Sequence, residues 1–154
     1  MEIAWEQIKN GFLDFGFLTI FQSIESYANK IFNYDTVSDS YEVEGVNVIV
    51  SINAEEKQWL LTYEKDKSGD YFNTGQSIQK NHIKPTTLFK ISCLLHIKFK
   101  KDEAFLQDFG KLNKLRNDIA HGGSKNLATK NNLINVLNIL EEIGSIYCAV
   151  TPHN

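Results

Sequence analysis

Between Phe105 and Gly122 the chain has little choice of structure. Phe105, Phe109, Leu112, Leu115 and Ile119 recur at the three- and four-residue spacing that gathers apolar side chains on one helix face. Asp102 is placed to cap the start of this helix. Gly122 stands where a helix end takes up the left-handed conformation that glycine adopts without strain. A helix with one buried stripe is therefore the fixed point from which the remainder is read.

Its last turns read LRNDIAHGG, and they hold the only arginine in the protein, Arg116, against fifteen lysines. General demand for positive charge did not put it there. Guanidinium is a planar fork that grips a phosphate through two parallel hydrogen bonds, whereas ammonium is a hydrated point charge. His121, five residues on, carries the side chain that accepts and donates protons near neutral pH. An Arg and a His together suit chemistry on phosphate. At 100° per residue, Asn117 and His121 lie about 40° apart and roughly opposite the core residue Ile119, so both point outward. Arg116 lies about 60° from Ile119, at the edge of the stripe, and must curve round to meet His121. On this phase, alanine at either position should leave stability nearly unchanged. Two structural alternatives stand beside this reading. A last-turn histidine can simply face the helix dipole, and Arg116 can pair with Asp118 or with an acid of the N-terminal half. Asp118 itself reads as a helix-surface residue.

The net charge of −3 conceals a polarity along the chain. Residues 1–79 hold five lysines and thirteen acids, a balance of −8. Residues 80–130 hold ten lysines, Arg116 and four acids, a balance of +7, and residues 131–154 carry −2. The basic segment is the one with the Arg–His pair, and Lys111, Lys114 and Lys125 flank it. That distribution suits a polyanion such as RNA, although any one lysine more often only solvates a helix face.

Residues 3–33 read as helix on the stripe Phe17, Phe21, Ile24, Ala28 and Ile31, with a bend or break at Gly11 or Gly16. Val46, Val48, Val50 and Ile52 alternate with other residues as a strand. The next segment admits two structures: a return strand through Trp59, Leu61 and Tyr63, or a helix capped by Asn53 with Glu56 reaching back. The return strand, giving a β-hairpin, is preferred. KDKSGDYFNTGQSIQKN, residues 65–81, reads as an exposed loop. Pro85 with Thr86 or Thr87 opens a helix through Leu88, Ile91, Leu95 and Phe99. A final helix runs from about Asn126 to Cys148 on Leu133, Val136, Leu137, Leu140, Ile143 and Tyr147.

At 154 residues and 42% hydrophobic content, one domain with a substantial core is expected. The start, MEIAWEQIKN, lacks a signal-peptide pattern, and no stretch approaches the roughly 20 apolar residues of a membrane span. A cytoplasmic location is the expectation. Cys93 and Cys148 stand apart on apolar segments and read as buried free thiols. Neither they nor the four scattered histidines assemble a local metal-binding set, so no metal is expected.

The run R-N-x-x-x-H, formed by Arg116, Asn117 and His121 and followed by Gly122, closes one helix of an otherwise helical chain. It resembles the Arg-x(4 to 6)-His motif of HEPN domains. The resemblance covers mainly residues 86–150 and extends less strongly to the N-terminal helix. It implies a mainly α fold, a HEPN-like bundle of four or five helices. Residues 1–154 would form one such domain, with a possible β-rich insertion at about 37–84. It further implies a metal-independent endoribonuclease without cofactors, with Arg116, Asn117 and His121 as catalytic residues and a homodimer as the assembly; the charge distribution adds Lys111, Lys114 and Lys125 as the expected RNA-binding residues. Such proteins serve as toxins, sometimes with an antitoxin or other regulatory partner, and as abortive-infection or CRISPR-associated effectors. Toxins paired with nucleotidyltransferase antitoxins often carry a tyrosine two residues after the motif histidine, where this chain has Gly123. The alternative from another class is a non-catalytic helical module that binds a partner protein or RNA through the same outward face.

Overall fold

The first break in the chain comes where the sequence puts a glycine between two helical stripes. α1 (Glu2–Lys9) ends at Gly11, whose φ of +80° closes the helix in the left-handed region, and α2 (Leu13–Ile31) follows. Gly16 does not break α2. It lets α1 lie against it, since a Cβ at Gly16 would come within 2.7 Å of the Ile8 side chain. These elements belong to a computed structural model that describes residues 2–33, 36–63, 68–73, 82–122 and 125–150.

The protein is mainly helical with a small three-stranded sheet, and its backbone contacts fall into two compact units. The first holds residues 1–27 and 103–154. Within it lie α1, the start of α2, and the two long helices that we label α6 (Glu103–Ala120) and α7 (Lys130–Val150). Phe17, Ile20, Phe21 and Ile24 are buried, as are Phe109 and Leu112 of α6 and Leu133, Val136, Ile139, Leu140 and Ile143 of α7. The Phe21 and Phe109 rings stack at 5.9 Å with an interplanar angle of 7°. Asp14 accepts a 2.7 Å hydrogen bond from the Ala128 backbone N–H, tying the loop before α7 to α2. Thr129 caps α7 by accepting through its hydroxyl from the Asn132 N–H, while Asn132 Oδ1 accepts from the Thr129 N–H. The Tyr147 side chain, expected in this stripe, lies outside the described residues.

The second unit, residues 28–102, is organised around a hairpin. Strand β2 (Val46–Ile52) follows the expected alternation, with Val48, Val50 and Ile52 buried. Its antiparallel partner is the preceding segment, β1 (Val37–Val43), and not the following one. Glu44 and Gly45, at φ of 51° and 75°, form the two-residue turn that matches the strand twist. The preferred return strand through Trp59, Leu61 and Tyr63 is therefore overturned, because that segment is α3 (Ala54–Thr62). The reciprocal cap decides the matter: Asn53 Oδ1 accepts from the Glu56 N–H at 2.7 Å, and Glu56 Oε2 accepts from the Asn53 N–H at 3.1 Å.

Strand β3 (His82–Ile83) adds parallel to β2. Of the expected loop 65–81, the described part is the short helix α4 (Ser68–Tyr71) and its continuation to Asn73. Tyr71 and Phe72 there are buried, contrary to an exposed loop, because their rings pack on Phe89. The remainder of that loop, and Gly123, lie outside the described residues. α5 (Thr87–Cys93), capped by Thr86 as anticipated, continues into a wide π turn, Leu94–Lys98. Trp59 meets Tyr71 and Phe89 edge-on at 5.0 and 5.1 Å, forming the aromatic centre of this unit.

Cys93 is buried, and burial pushes its thiol well above the ordinary range. Cys148 is exposed, which corrects the expectation of two buried thiols. It lies about 140° round the helix from the buried Ile143.

Candidate catalytic site

The site is built by the C-terminal turns of α6. The helix ends as its sequence demands: the His121 N–H bonds to the Asn117 carbonyl, the Gly122 N–H bonds to the Ile119 carbonyl, and Gly122 sits at φ +76°. Phe109 and Leu112 anchor the other face in the core, so the phase of the final turns is set by burial. His121 is exposed, Asn117 is half-buried, and the Arg116 side chain is 29% exposed.

Arg116 does not curve toward His121. Its Nη2 contacts both oxygens of Glu25 on α2, at 3.1 and 3.2 Å, and its Nη1 donates to Asn117 Oδ1 at 3.1 Å. The structure thus brings Arg116 and Asn117 together and adds Glu25. Among the described residues, no hydrogen bond links either side chain to the imidazole of His121. The physical reason is competition: a carboxylate across the helix pair is a stronger partner for guanidinium than a solvated imidazole. Glu25 is the acid of the N-terminal half that was one structural alternative for Arg116. Sequence alone could not single it out among thirteen acids, although its place one residue after the buried Ile24 set it at the margin of the core.

The arrangement is half organised and half open. Three contacts to two side chains hold the guanidinium plane, and among the described residues the Nε–H and the second Nη1 hydrogen are left to donate, from the five that an arginine carries. Asn117, by accepting through Oδ1, is left with its amide NH₂ to donate. The His121 ring makes no hydrogen bond or ion pair among the described residues. Lys111, Lys114 and Lys125 are all exposed. Lys111 pairs with Asp108 at 2.7 Å, and Lys114 stands 3.9 Å from Asp118, which is on the surface as expected. Pairs this exposed contribute little and give way to a better anion. Among the described residues no three His, Cys, Asp or Glu side chains cluster as metal ligands, and no helix is long and apolar enough to cross a membrane.

A mainly helical chain with an Arg-Asn-x-x-x-His turn at the end of a long helix is similar to the HEPN class. The profile of one of its families, RiboL-PSP-HEPN, matches residues 56–148, well over half the chain, and the protein belongs to that family. No curated protein and no solved structure matches it.

Proposed function

We propose that the protein is a metal-independent endoribonuclease that cuts RNA through attack of a 2′-hydroxyl on the adjacent phosphate. The observation that supports this most is the pairing of a held Arg116–Asn117 with an exposed, unengaged His121 on the last turns of one helix, inside the segment matched by the HEPN family. His121 moves protons, to or from the reacting oxygens. The free N–H groups of Arg116 and Asn117 meet the charge that develops on the phosphorane oxygens. Glu25 holds the guanidinium in place, and Lys111, Lys114 and Lys125 attract the RNA backbone. The 2′-oxygen forms a bond to phosphorus as the bond to the leaving 5′-oxygen breaks, which yields a 2′,3′-cyclic phosphate and a 5′-hydroxyl. The enzyme serves as a defence or stress effector of the toxin or CRISPR/abortive-infection type and acts as a homodimer.

Incubation of the purified protein with end-labelled RNA in EDTA tests the reading. Cleavage is expected with cyclic phosphate ends, with none on a substrate carrying 2′-deoxyribose at the scissile position, and with a steep fall as salt rises. A requirement for magnesium, or cleavage of the deoxy substrate, would overturn the mechanism. Binding without cleavage would favour the non-catalytic RNA-binding module.

A further inference from the structure

The second unit contains a pocket of about 290 Å³ whose lining the proposed ribonuclease chemistry does not use. Phe32, Thr36, Ser51, Glu56, Lys84 and Lys90 are among the residues that line it. They come from the residues just after α2 and just before β1, the strand β2, the first turn of α3, the segment after β3, and α5. Five separate stretches of chain thus converge on one cavity.

Two other lysines of this unit carry their own counter-ions. Lys57 is paired with Asp39 at 2.6 Å, and Lys98 with Glu55 at 2.5 Å. Lys84 and Lys90 make no ion pair among the described residues. Lys90 has only a 3.3 Å hydrogen bond to Asn29 Oδ1. The one acid in the lining is Glu56, and it is 1% exposed. Its Oε2 takes the Asn53 N–H, while its Oε1 is buried with no partner. Burial pushes that carboxyl upward, and two lysines, Lys84 and Lys90, line the cavity against this single acid.

The remaining wall is polar on one side and apolar on the other. Ser51 Oγ lies 2.8 Å from His82 Nε2. When His82 carries its proton on Nε2, Ser51 accepts from it, and the serine hydroxyl is free to donate into the cavity. Phe32 and Pro85 supply apolar surface. The volume far exceeds the ~30 Å³ of one water and approaches the lower end of small-molecule pockets, roughly 300 Å³. There is room for a phosphate and an organic body, and not for an oligonucleotide.

We infer that this pocket binds a small phosphomonoester, its phosphate held by Lys84, Lys90 and the Ser51 hydroxyl and its organic body set against Phe32 and Pro85. A phosphomonoester carries close to two negative charges at neutral pH and three acceptor oxygens, which matches two ammonium groups and one hydroxyl. A monocarboxylate would leave one lysine without a counter-charge.

The test uses the full chain in isothermal titration calorimetry at fixed ionic strength. Three phosphomonoesters of different body, ribose 5-phosphate, glycerol 3-phosphate and adenosine 5′-monophosphate, are compared with ribose, glycerol and adenosine. At least one phosphate should bind with one molecule per chain, and its phosphate-free counterpart should not. Lys84→Gln and Lys90→Gln should each weaken that binding roughly ten-fold or more, the contribution of one charge-assisted hydrogen bond. Their melting temperatures without ligand should match the wild type, which separates lost binding from lost fold. His121→Ala should bind as the wild type does, so failure of the ribonuclease reading would leave this result standing. No binding by any of the three phosphates, or binding indifferent to both lysine substitutions, would overturn the assignment.

Discussion

Arg116 on α6 reaches Glu25 on α2, 91 residues away in sequence, and contacts both carboxylate oxygens through one terminal nitrogen at 3.1 and 3.2 Å. With side chains only 29% and 21% exposed, this pair is better shielded than the surface ion pairs of the lysines. Outward phase alone would make Arg116→Ala silent for stability, and the pair with Glu25 alters that expectation. Arg116→Ala and Glu25→Ala should each cost roughly 1–2 kcal/mol, or a melting-point drop of about 3–6 °C for a chain of this size. The double mutant should be less destabilised than the sum. Arg116→Lys keeps the charge beside Glu25 but lacks the fork, so it should retain most of the stability and lose RNA cleavage. Wild-type cleavage by Arg116→Lys would show that a point charge suffices and remove the geometric role assigned to guanidinium.

His121→Ala makes the complementary case. The ring is exposed and has no partner among the described residues, so its loss should shift the melting temperature by less than about 1 °C. Cleavage of labelled RNA should fall by two orders of magnitude or more, the usual contribution of a positioned acid or base. A variant that melts normally and cuts at the wild-type rate would remove His121 from the mechanism.

Glu56 gives the protein a pH dependence of defined sign. Burial is the main cause that pushes its carboxyl from 4.5 to about 7, with a lesser push from Glu55. The Asn53 N–H and Lys90 pull the other way without cancelling it. Because the folded value lies above the unfolded one, the folded state binds the proton more tightly. The stability it brings is fully present below about pH 4.5 and is lost as pH rises toward 7, by at most roughly 3 kcal/mol. Glu56→Gln keeps an acceptor for the Asn53 N–H and cannot ionise. The difference in melting temperature between the variant and the wild type should therefore grow in the variant's favour from pH 5 to pH 7.5. Thermal melts across that range check the slope, and equal slopes for the two proteins would show that Glu56 does not titrate there.

The elements that the sequence revealed are those whose signals are local. Phe105 to Ile119 declares a helix through its own spacing, Gly122 its end, and Thr86 the start of α5. The strand β1 was missed because its sequence, VSDSYEV, has a mostly exposed face and forms through pairing with Val46–Ile52. The segment after Asn53 was ambiguous for a related reason. Trp59, Leu61 and Tyr63 alternate as a strand does, and only the satisfied cap shows which of two local signals prevails. At the candidate site, Arg116, Asn117 and His121 were legible because they share a helix end. Glu25 was not, since which acid meets an arginine depends on how two distant helices pack. Glu56 was legible as a cap, while its burial beside two lysines depended on the sheet, α3 and α5 closing on one another.

The final prediction concerns assembly. One chain offers a single exposed histidine on the candidate face, yet cleavage calls for a base at the 2′-hydroxyl and an acid at the leaving 5′-oxygen on the opposite side of phosphorus. A two-fold homodimer that brings two α6 ends together supplies both. Two guanidiniums in one groove would repel, but in each chain the Glu25 carboxylate already stands against Arg116 and offsets part of that charge. The adhesion must come from apolar surface elsewhere. The first unit exposes Phe12 and Phe15, each more than half accessible, with their rings edge-on at 6.1 Å. Such a pair of bare aromatics is the kind of surface that association covers. Phe12→Asp with Phe15→Asp should leave the helical circular dichroism intact, convert a dimer of about 35 kDa in light scattering, twice the 17.6 kDa chain, into a monomer, and abolish RNA cleavage with Arg116 and His121 untouched. A wild-type protein that is monomeric at micromolar concentration and still cuts RNA would rule out the paired site. A double-aspartate variant that remains a dimer would place the interface on another surface.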